Sequence, residues 1–326
     1  KEFTPVTEQR RPADSSQGSL FGLPEQTAPE TGRSILTTEH HYDLIEDLGA
    51  VTQFASLLAA RKEFCFDTET TSLDSLNTEL VAVAFSWKKG TGTLLWLPSD
   101  RKVANELLAP LKPVFENPRI GKTGQNLKFD IQVLSGYGIK VKGPLFDTMV
   151  AHYLLEPDMR HSMDLLSEKY LGYRPVPIED LIGERGPRQK NMREVEKEKV
   201  REYSVEDADI TWQLKETFEP MLLSQGLDKL AKEIEMPLIS VLASMEREGI
   251  RINVDVLKNF AVTLRETIIR LEKEIYDLAG QEFNISSPKQ LGDILFLRLK
   301  LDDNARLTNT RQYRTDEEVL QRLVSK

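Results

Sequence analysis

The chain is poor in the residues that cross-link proteins or bind soft metals. Of its 326 residues only Cys65 is a cysteine, so no disulfide can close within it. That usage suits a reducing cytosol. Its four histidines, His40, His41, His152 and His161, lack metal-site spacing and are read as structural or surface groups. No apolar h-region opens the sequence, and no stretch approaches the roughly 20 apolar residues of a membrane span. A soluble, cytoplasmic protein without membrane contact is expected. Positive charge is also short, with 43 Lys+Arg against 52 Asp+Glu and a net charge of −9. Nucleic-acid-binding domains are usually basic, so this balance speaks against such a partner. The objection is weak for a site that gathers carboxylates around divalent cations, which restore positive charge locally. Net charge also reports the average field and not that of one groove.

What is present is patterned. Residues 1–36 are rich in Pro, Gln, Glu, Ser, Thr and Gly and read as a linker or disordered leader. Strands are expected over Glu63–Glu69, Leu80–Trp87 and Thr93–Leu97, with short apolar pieces near Ile120 and Leu145 adding two more. Helical patterns occupy 50–60, 101–116, 126–134, 147–155, 163–170, 194–202 and 206–223. Strands mixed with helices in this way indicate an α/β layer fold over 37–225. From 226 the strands vanish. Leu227–Glu248 reads as a helix stopped by Gly249. Leu257, Phe260, Leu264, Ile268, Leu271, Ile275 and Leu278 then recur at spacings of three and four, a long amphipathic helix ended by Gly280. Ser287-Pro288 supplies an N-cap and an N1 proline for another helix, so 226–326 is expected to be all-helical.

Three carboxylate motifs carry chemistry. Asp67 and Glu69 flank Thr68 at a strand end, and strand alternation points both acids the same way. Two acids on one face of a buried strand are costly to ionise unless a cation compensates. Asn126 and Asp130 are four apart at a helix start, and Tyr203 and Asp207 are four apart on a helix, so each pair shares a face. Each motif alone reads as an ordinary cap or surface pair. Together they supply four acids and a tyrosine from three elements.

This order, D-x-E then N-x-x-x-D then Y-x-x-x-D, resembles the DEDD exonuclease superfamily in its tyrosine-containing branch. The wider wording, FDTETTSLD, GQNLKFD and YSVEDADIT, is similar to the proofreading domain of the bacterial DNA polymerase I family. Phe146–Met149 and Arg160–Asp164 fall where that family has similar runs. The resemblance covers roughly 40–325. It implies an RNase H-like mixed sheet with helices on both faces, and 3′→5′ hydrolysis of DNA assisted by two divalent ions, Mg²⁺ or Mn²⁺. By resemblance Asp67 bridges the ions, Glu69 and Asp207 complete the first site, and Asp130 supports the second. Tyr203 and Glu69 orient the attacking water. Carboxylates and water suit these hard cations independently.

The same resemblance implies substrate contacts. Leu73 wedges beside the terminal base, the alternative being ordinary packing. Gln125, Asn126 and Arg160 touch the terminal sugar or phosphate. Ile178 departs from the aromatic expected there, which puts terminal-base stacking in doubt. The charged run Arg185–Arg201 either flanks the DNA path or forms a mobile loop leading into a solvated helix. The tail, in EMPLISVLASMEREGIRIN, FNISSPKQLGDILF and TDEEVLQRL, resembles the base and shaft of a polymerase thumb, which implies a grip on duplex DNA. No palm or fingers motif follows, so nucleotide incorporation is not expected of this chain. Gln17–Phe21 resembles a sliding-clamp-binding peptide. Nucleoid association in a bacterial cytoplasm follows from the resemblance. Two alternatives stand: a ribonuclease D-like RNA exonuclease, and a catalytically silent DNA-binding or scaffold fragment.

Overall fold

A strand buried on both faces needs a near-continuous apolar run, and residues 80–86 supply one. In the computed structural model, which describes residues 32–308 and 310–324, this run is β3 (Leu80–Lys88). It lies inside a six-stranded sheet with β1 (His41–Ile45), β2 (Glu63–Thr70), β4 (Thr91–Trp96), β5 (Gly121–Gly124) and β6 (Leu145–Asp147). The order is β1-β4-β3-β2-β5-β6. The pairs β2/β3 and β3/β4 are antiparallel, while β1/β4, β2/β5 and β5/β6 are parallel, so the sheet is mixed. Five strands match the sequence reading. The sixth, β1, escapes it because an edge strand with exposed His41 and Asp43 carries little apolar signal. The Gln17–Phe21 peptide lies outside the described residues.

Helices cover both faces. α1 (Leu48–Ala59) and α2 (Arg101–Leu108) begin at aspartate N-caps, Asp47 and Asp100, whose carboxylates accept from the first-turn amides. α3 (Lys112–Phe115), α4 (Leu127–Gly136), α5 (Thr148–Leu155), α6 (Met163–Leu166) and α7 (Ile178–Ile182) follow. α8 (Lys197–Ser224) is a single helix of 28 residues where the sequence suggested two. Nothing between 202 and 206 breaks it, and its Ser204 hydroxyl bonds outward rather than competing for the helix backbone.

Strand alternation sorts the core. Phe64, Phe66, Val83, Phe85 and Leu95 join the buried residues of α1–α4, with the Phe115 ring edge-on to Phe66 at 5.0 Å. Each such buried aromatic contributes about 1.5–3 kcal/mol. Cys65, Ala82, Ala84 and Leu94 instead meet Val200, Val205, Ala208 and Trp212 of α8. α8 can approach this closely because residue 92 is glycine, where a Cβ would lie 2.3 Å from the Val205 side chain.

α9 (Asp228–Leu230) and α10 (Met236–Glu248) pack on the sheet unit, burying Met236, Ile239 and Ala243. Glu246 of α10 binds both Lys128 at 2.6 Å and Gln132 at 2.7 Å on α4. Contacts divide the chain after Gly249. The sequence boundary near 226 marks the end of the last long sheet-packed helix, some twenty residues earlier. The second unit, Ile250–Lys326, contains α11 (Val254–Ala279), α12 (Pro288–Gly292) and α13 (Glu317–Val324). α11 starts at the Asn253 cap and stops at Gly280 in the left-handed region, φ 68°. Ile294, Phe296 and Val319 form its small core, with Phe296 and Tyr313 rings 5.0 Å apart. Along α11, Leu257, Phe260, Leu264, Ile268 and Leu271 remain exposed. Among the described residues no helix is long and apolar enough to cross a membrane.

Candidate active site

The acids arise at the C-terminal half of β2. Because Phe64 and Phe66 turn into the larger core, Asp67 and Glu69 turn toward the α8 face. Asp67 is half-buried and Glu69 is buried. α8 crosses this face and contributes three groups to it. Ser204 Oγ donates to Glu69 Oε1 at 2.7 Å. Tyr203 and Asp207, one turn apart, lie close enough to feel these acids: Glu69 and Asp67 push the Tyr203 phenol up, and Glu69 pushes Asp207 up.

Asp130 comes from α4. Both the amide and the hydroxyl of Thr68 donate to its Oδ1, the amide at 3.0 Å. The residue between the two β2 acids thus aims the third. The start of α4 is itself held: Asn126 sits in the left-handed region, φ 60°, and Asp147 accepts from the amides of Asn126 at 3.2 Å and Leu127 at 2.8 Å. Asp147 also caps α5 through Met149 N at 2.9 Å. One buried carboxylate therefore ties two helix N-termini together beside the site.

The electrostatics are those of crowded, desolvated acids. Burial raises Asp67 well above the carboxylate range, and Asp130, Glu69 and Asp207 each push it further. Burial raises Glu69 to about 7, against the Ser204 hydrogen bond. Burial raises Asp130 to about 8, against the two Thr68 bonds. Asp207 is raised by burial and then by Glu69 and Glu206, with Tyr203 opposing. Asp164, exposed on α6, adds a further like charge beside Asp207. These groups repel one another, yet among the described residues no three His, Cys, Asp or Glu side chains converge on one point as a closed metal cage. The donor set is nonetheless all carboxylate oxygen, held by hydroxyl and amide donors and starved of positive charge, which fits a hard divalent cation. Cys65 lies buried in the same strand with its thiol pushed up by burial and by Asp67, so it offers no nucleophile.

The residues expected to hold substrate lie on the turn after β2, at the start of α4 and in the segment after α5. Leu73 is 89% exposed on the turn after β2, so ordinary packing does not explain it. Gln125 is held from both ends, its Nε2 donating to His161 O at 2.8 Å and its Oε1 accepting from Thr148. Asn126 and Arg160 are exposed. Ile178 opens α7 and is 38% exposed. The charged run 185–201 is in large part structural. Arg193 donates to Leu97 O and Glu79 and lies 5.3 Å over the Trp96 ring, and Lys197 pairs with Glu46.

The family described as 3′-5′ exonuclease matches residues 42–223, more than half of the chain. The chain belongs to that family. The family described as DNA polymerase family A matches residues 254–326. DNA polymerase I of Rhizobium leguminosarum is 33% identical over 99% of this chain and 34% of its own length. DNA polymerase I of Pseudomonas aeruginosa is 36% identical over 88% of this chain and 32% of its own. The chain thus spans about a third of these relatives. In fold it is similar to the POL domain of Pol1 from M. smegmatis in complex with DNA primer-template and dNTP. The TM-score is 0.67 at 22% identity, covering 87% of this chain and 45% of that one. An apo nuclease gives a TM-score of 0.52 at 19% identity over 65% of this chain and 95% of its own.

Sequence reading of this exonuclease missed the groups that aim the acids: Thr68, Ser204 and Asp147. Thr68 stands between two motif acids and Ser204 directly after Tyr203, and a hydroxyl beside a motif residue is the signal that could have found them. Asp147 stood within the Phe146–Met149 run, and only the fold shows that it serves two helices.

Proposed function

We propose that the chain is the 3′→5′ proofreading exonuclease portion of a bacterial DNA polymerase I, with part of the thumb attached, working in the cytoplasm. The observation that supports this most is the meeting of Asp67, Glu69, Asp130 and Asp207 with Tyr203, drawn from β2, α4 and α8. Two divalent ions, Mg²⁺ or Mn²⁺, held by Asp67, Glu69 and Asp207 with Asp130 in support, would polarise the scissile phosphate, activate water and neutralise the leaving 3′-oxygen.

The chain's own residues do the rest. Glu69, fixed by Ser204, and the Tyr203 phenol orient the attacking water. Thr68 holds Asp130 by two bonds to its Oδ1. Leu73 splays the terminal base, while Gln125, Asn126 and Arg160 hold the terminal sugar and phosphate. A mispaired 3′ end melts at lower cost, so it reaches a single-strand site more often. We assign the exonuclease to 37–225 and the thumb to 226–326, the latter gripping duplex backbone. Gln17–Phe21 is proposed as a clamp-binding peptide, tested by loss of clamp binding on Phe21→Ala.

The test is digestion of 3′-labelled single-stranded DNA with Mg²⁺ or Mn²⁺ by the native chain and Asp67→Ala. Metal-dependent release of mononucleotides, lost in the variant, is expected. Faster release from RNA of the same sequence would favour the ribonuclease D-like reading. Binding of DNA without release would favour the silent module.

A further inference from the structure

Next to Gln125, whose amide donates to the His161 carbonyl, lies a chain of polar groups that the chemistry above does not use. His152, fully buried on α5, faces His161 with the two Nδ1 atoms 2.7 Å apart. Its other nitrogen, Nε2, lies 3.1 Å from the Tyr170 hydroxyl. That hydroxyl lies 2.6 Å from Glu156 Oε1, and Lys169 reaches the other oxygen of Glu156 at 2.6 Å.

Donor counting gives this chain a direction. Glu156 is held below the ordinary glutamate range by Lys169 and then Tyr170, so it is ionised and can only accept. Tyr170 has one proton, and it goes to Glu156. The Tyr170 oxygen must then accept from His152, which places a proton on His152 Nε2. A neutral imidazole with Nε2–H has a bare Nδ1, so His161 must be the donor between the two rings. Burial, then His161, lowers His152, which keeps it in the neutral form this arrangement needs. His161 is half-buried, its carbonyl anchors Gln125, and it is bonded covalently to Arg160.

We propose that His152 is a positioning residue: as an Nε2–H tautomer held by Tyr170 and Glu156, it accepts from His161 and so fixes the Arg160–His161 segment and Gln125 for the 3′-terminal nucleotide. This rests on the exonuclease reading above. The binding loop is thereby tied to α5 and to the 167–171 turn, not left to solvent. The two sides of the imidazole have different duties, and two amides separate them. Asparagine places an oxygen where Nδ1 lies and can still accept from His161. Glutamine reaches where Nε2 lies and keeps only the Tyr170 side.

The experiment compares native chain, His152→Asn and His152→Gln on single-stranded oligodeoxynucleotide with Mg²⁺, reading KM and kcat separately, with melting temperatures alongside. H152Q is expected to raise KM about five- to tenfold, the span of one well-made hydrogen bond, with kcat within about twofold. H152N is expected to recover most of the native KM at a melting temperature like that of H152Q. Equal KM in the two variants at equal stability would overturn the proposal. Long-range ¹H–¹⁵N NMR of the native chain needs no variant. A protonated Nε2 and bare Nδ1 on His152 are expected, and a protonated Nδ1 would overturn it. Loss of all nucleotide release in the native chain would instead refute the exonuclease reading, and the NMR tautomer would still decide the relay.

Discussion

Thr68 donates twice to one oxygen of Asp130, so the strand that carries Asp67 and Glu69 also aims an acid from a helix 62 residues further along the chain. Thr68→Val keeps the shape and the amide but removes the hydroxyl. It is expected to lower kcat about tenfold or more, because a misaimed group costs rate steeply. Stability should fall by only about 1–2 kcal/mol. Steady-state kinetics and thermal melting check this. An unchanged kcat would detach Asp130 from the chemistry.

The carboxylate cluster should cost stability in the absence of cations. Burial and mutual repulsion raise these acids in the folded state, Glu69 to about 7 and Asp130 to about 8, above their unfolded values near 4. The folded chain therefore holds more protons than the unfolded one in that window, and stability falls as pH rises from about 4 through about 8. Asp67→Asn removes one charge and is expected to stabilise the fold in EDTA by about 1–2 kcal/mol at pH 8 and by less at pH 5, raising the melting temperature. Adding Mg²⁺ or Mn²⁺ should stabilise the native chain more than the variant. Calorimetry in EDTA and in metal reads both effects. A lower melting temperature for the variant at pH 8 would contradict the account.

Leu73 is 89% exposed, so shortening it removes almost no buried surface. Leu73→Ala should leave the melting temperature within the range of an ordinary surface change, about 0.5 kcal/mol. Its expected effect is on substrate. KM for single-stranded DNA should rise several-fold, as loss of one stacking or wedging contact does. A drop in stability with unchanged KM would return Leu73 to packing.

Lys122 gives a second, independent pH signature. It is fully buried on β5, and its ammonium donates to the carbonyls of Asn117 at 2.8 Å, Ile120 at 2.9 Å and Lys142, with no carboxylate partner among the described residues. Burial lowers it to about 8. Here the unfolded chain holds more protons between about 8 and 10, so this group's contribution to stability rises with pH across that window. Lys122→Met leaves three carbonyls without a donor and should cost about 2–4 kcal/mol at pH 7. It should also flatten the slope between pH 8 and 10. Denaturant melts at pH 7, 8.5 and 10 separate the two effects, and an unaltered slope would show that Lys122 does not titrate there.

Short-range order along the chain was enough to name the acids. D-x-E in a strand and two i, i+4 pairs in helices put each carboxylate on a definite face before any fold was known, because strand and helix periodicities are local properties. The apolar runs of β2, β3 and β4 were legible for the same reason, and so was α11 with its Gly280 end. β1 was not legible, since an edge strand with charged residues gains its stability from β4 and not from its own pattern. α8 read as two helices because polar Ser204, Glu206, Asp207 and Asp209 interrupt its apolar stripe. All four are buried, and three of them have partners in other elements: Ser204 with Glu69, Glu206 with Tyr173, and Asp209 with Tyr42.

Tertiary structure alone decided how the acids are aimed. Thr68 to Asp130, Ser204 to Glu69 and Asp147 to the start of α4 join residues 62, 135 and about 20 positions apart. It also decided that α9 and α10 pack on the sheet unit, through Met236, Ile239 and Glu246. Hydrogen bonds and packing across such separations depend on which surfaces the sheet brings face to face. No local periodicity encodes that, so residue types revealed which chemistry was available and the fold determined where each group points.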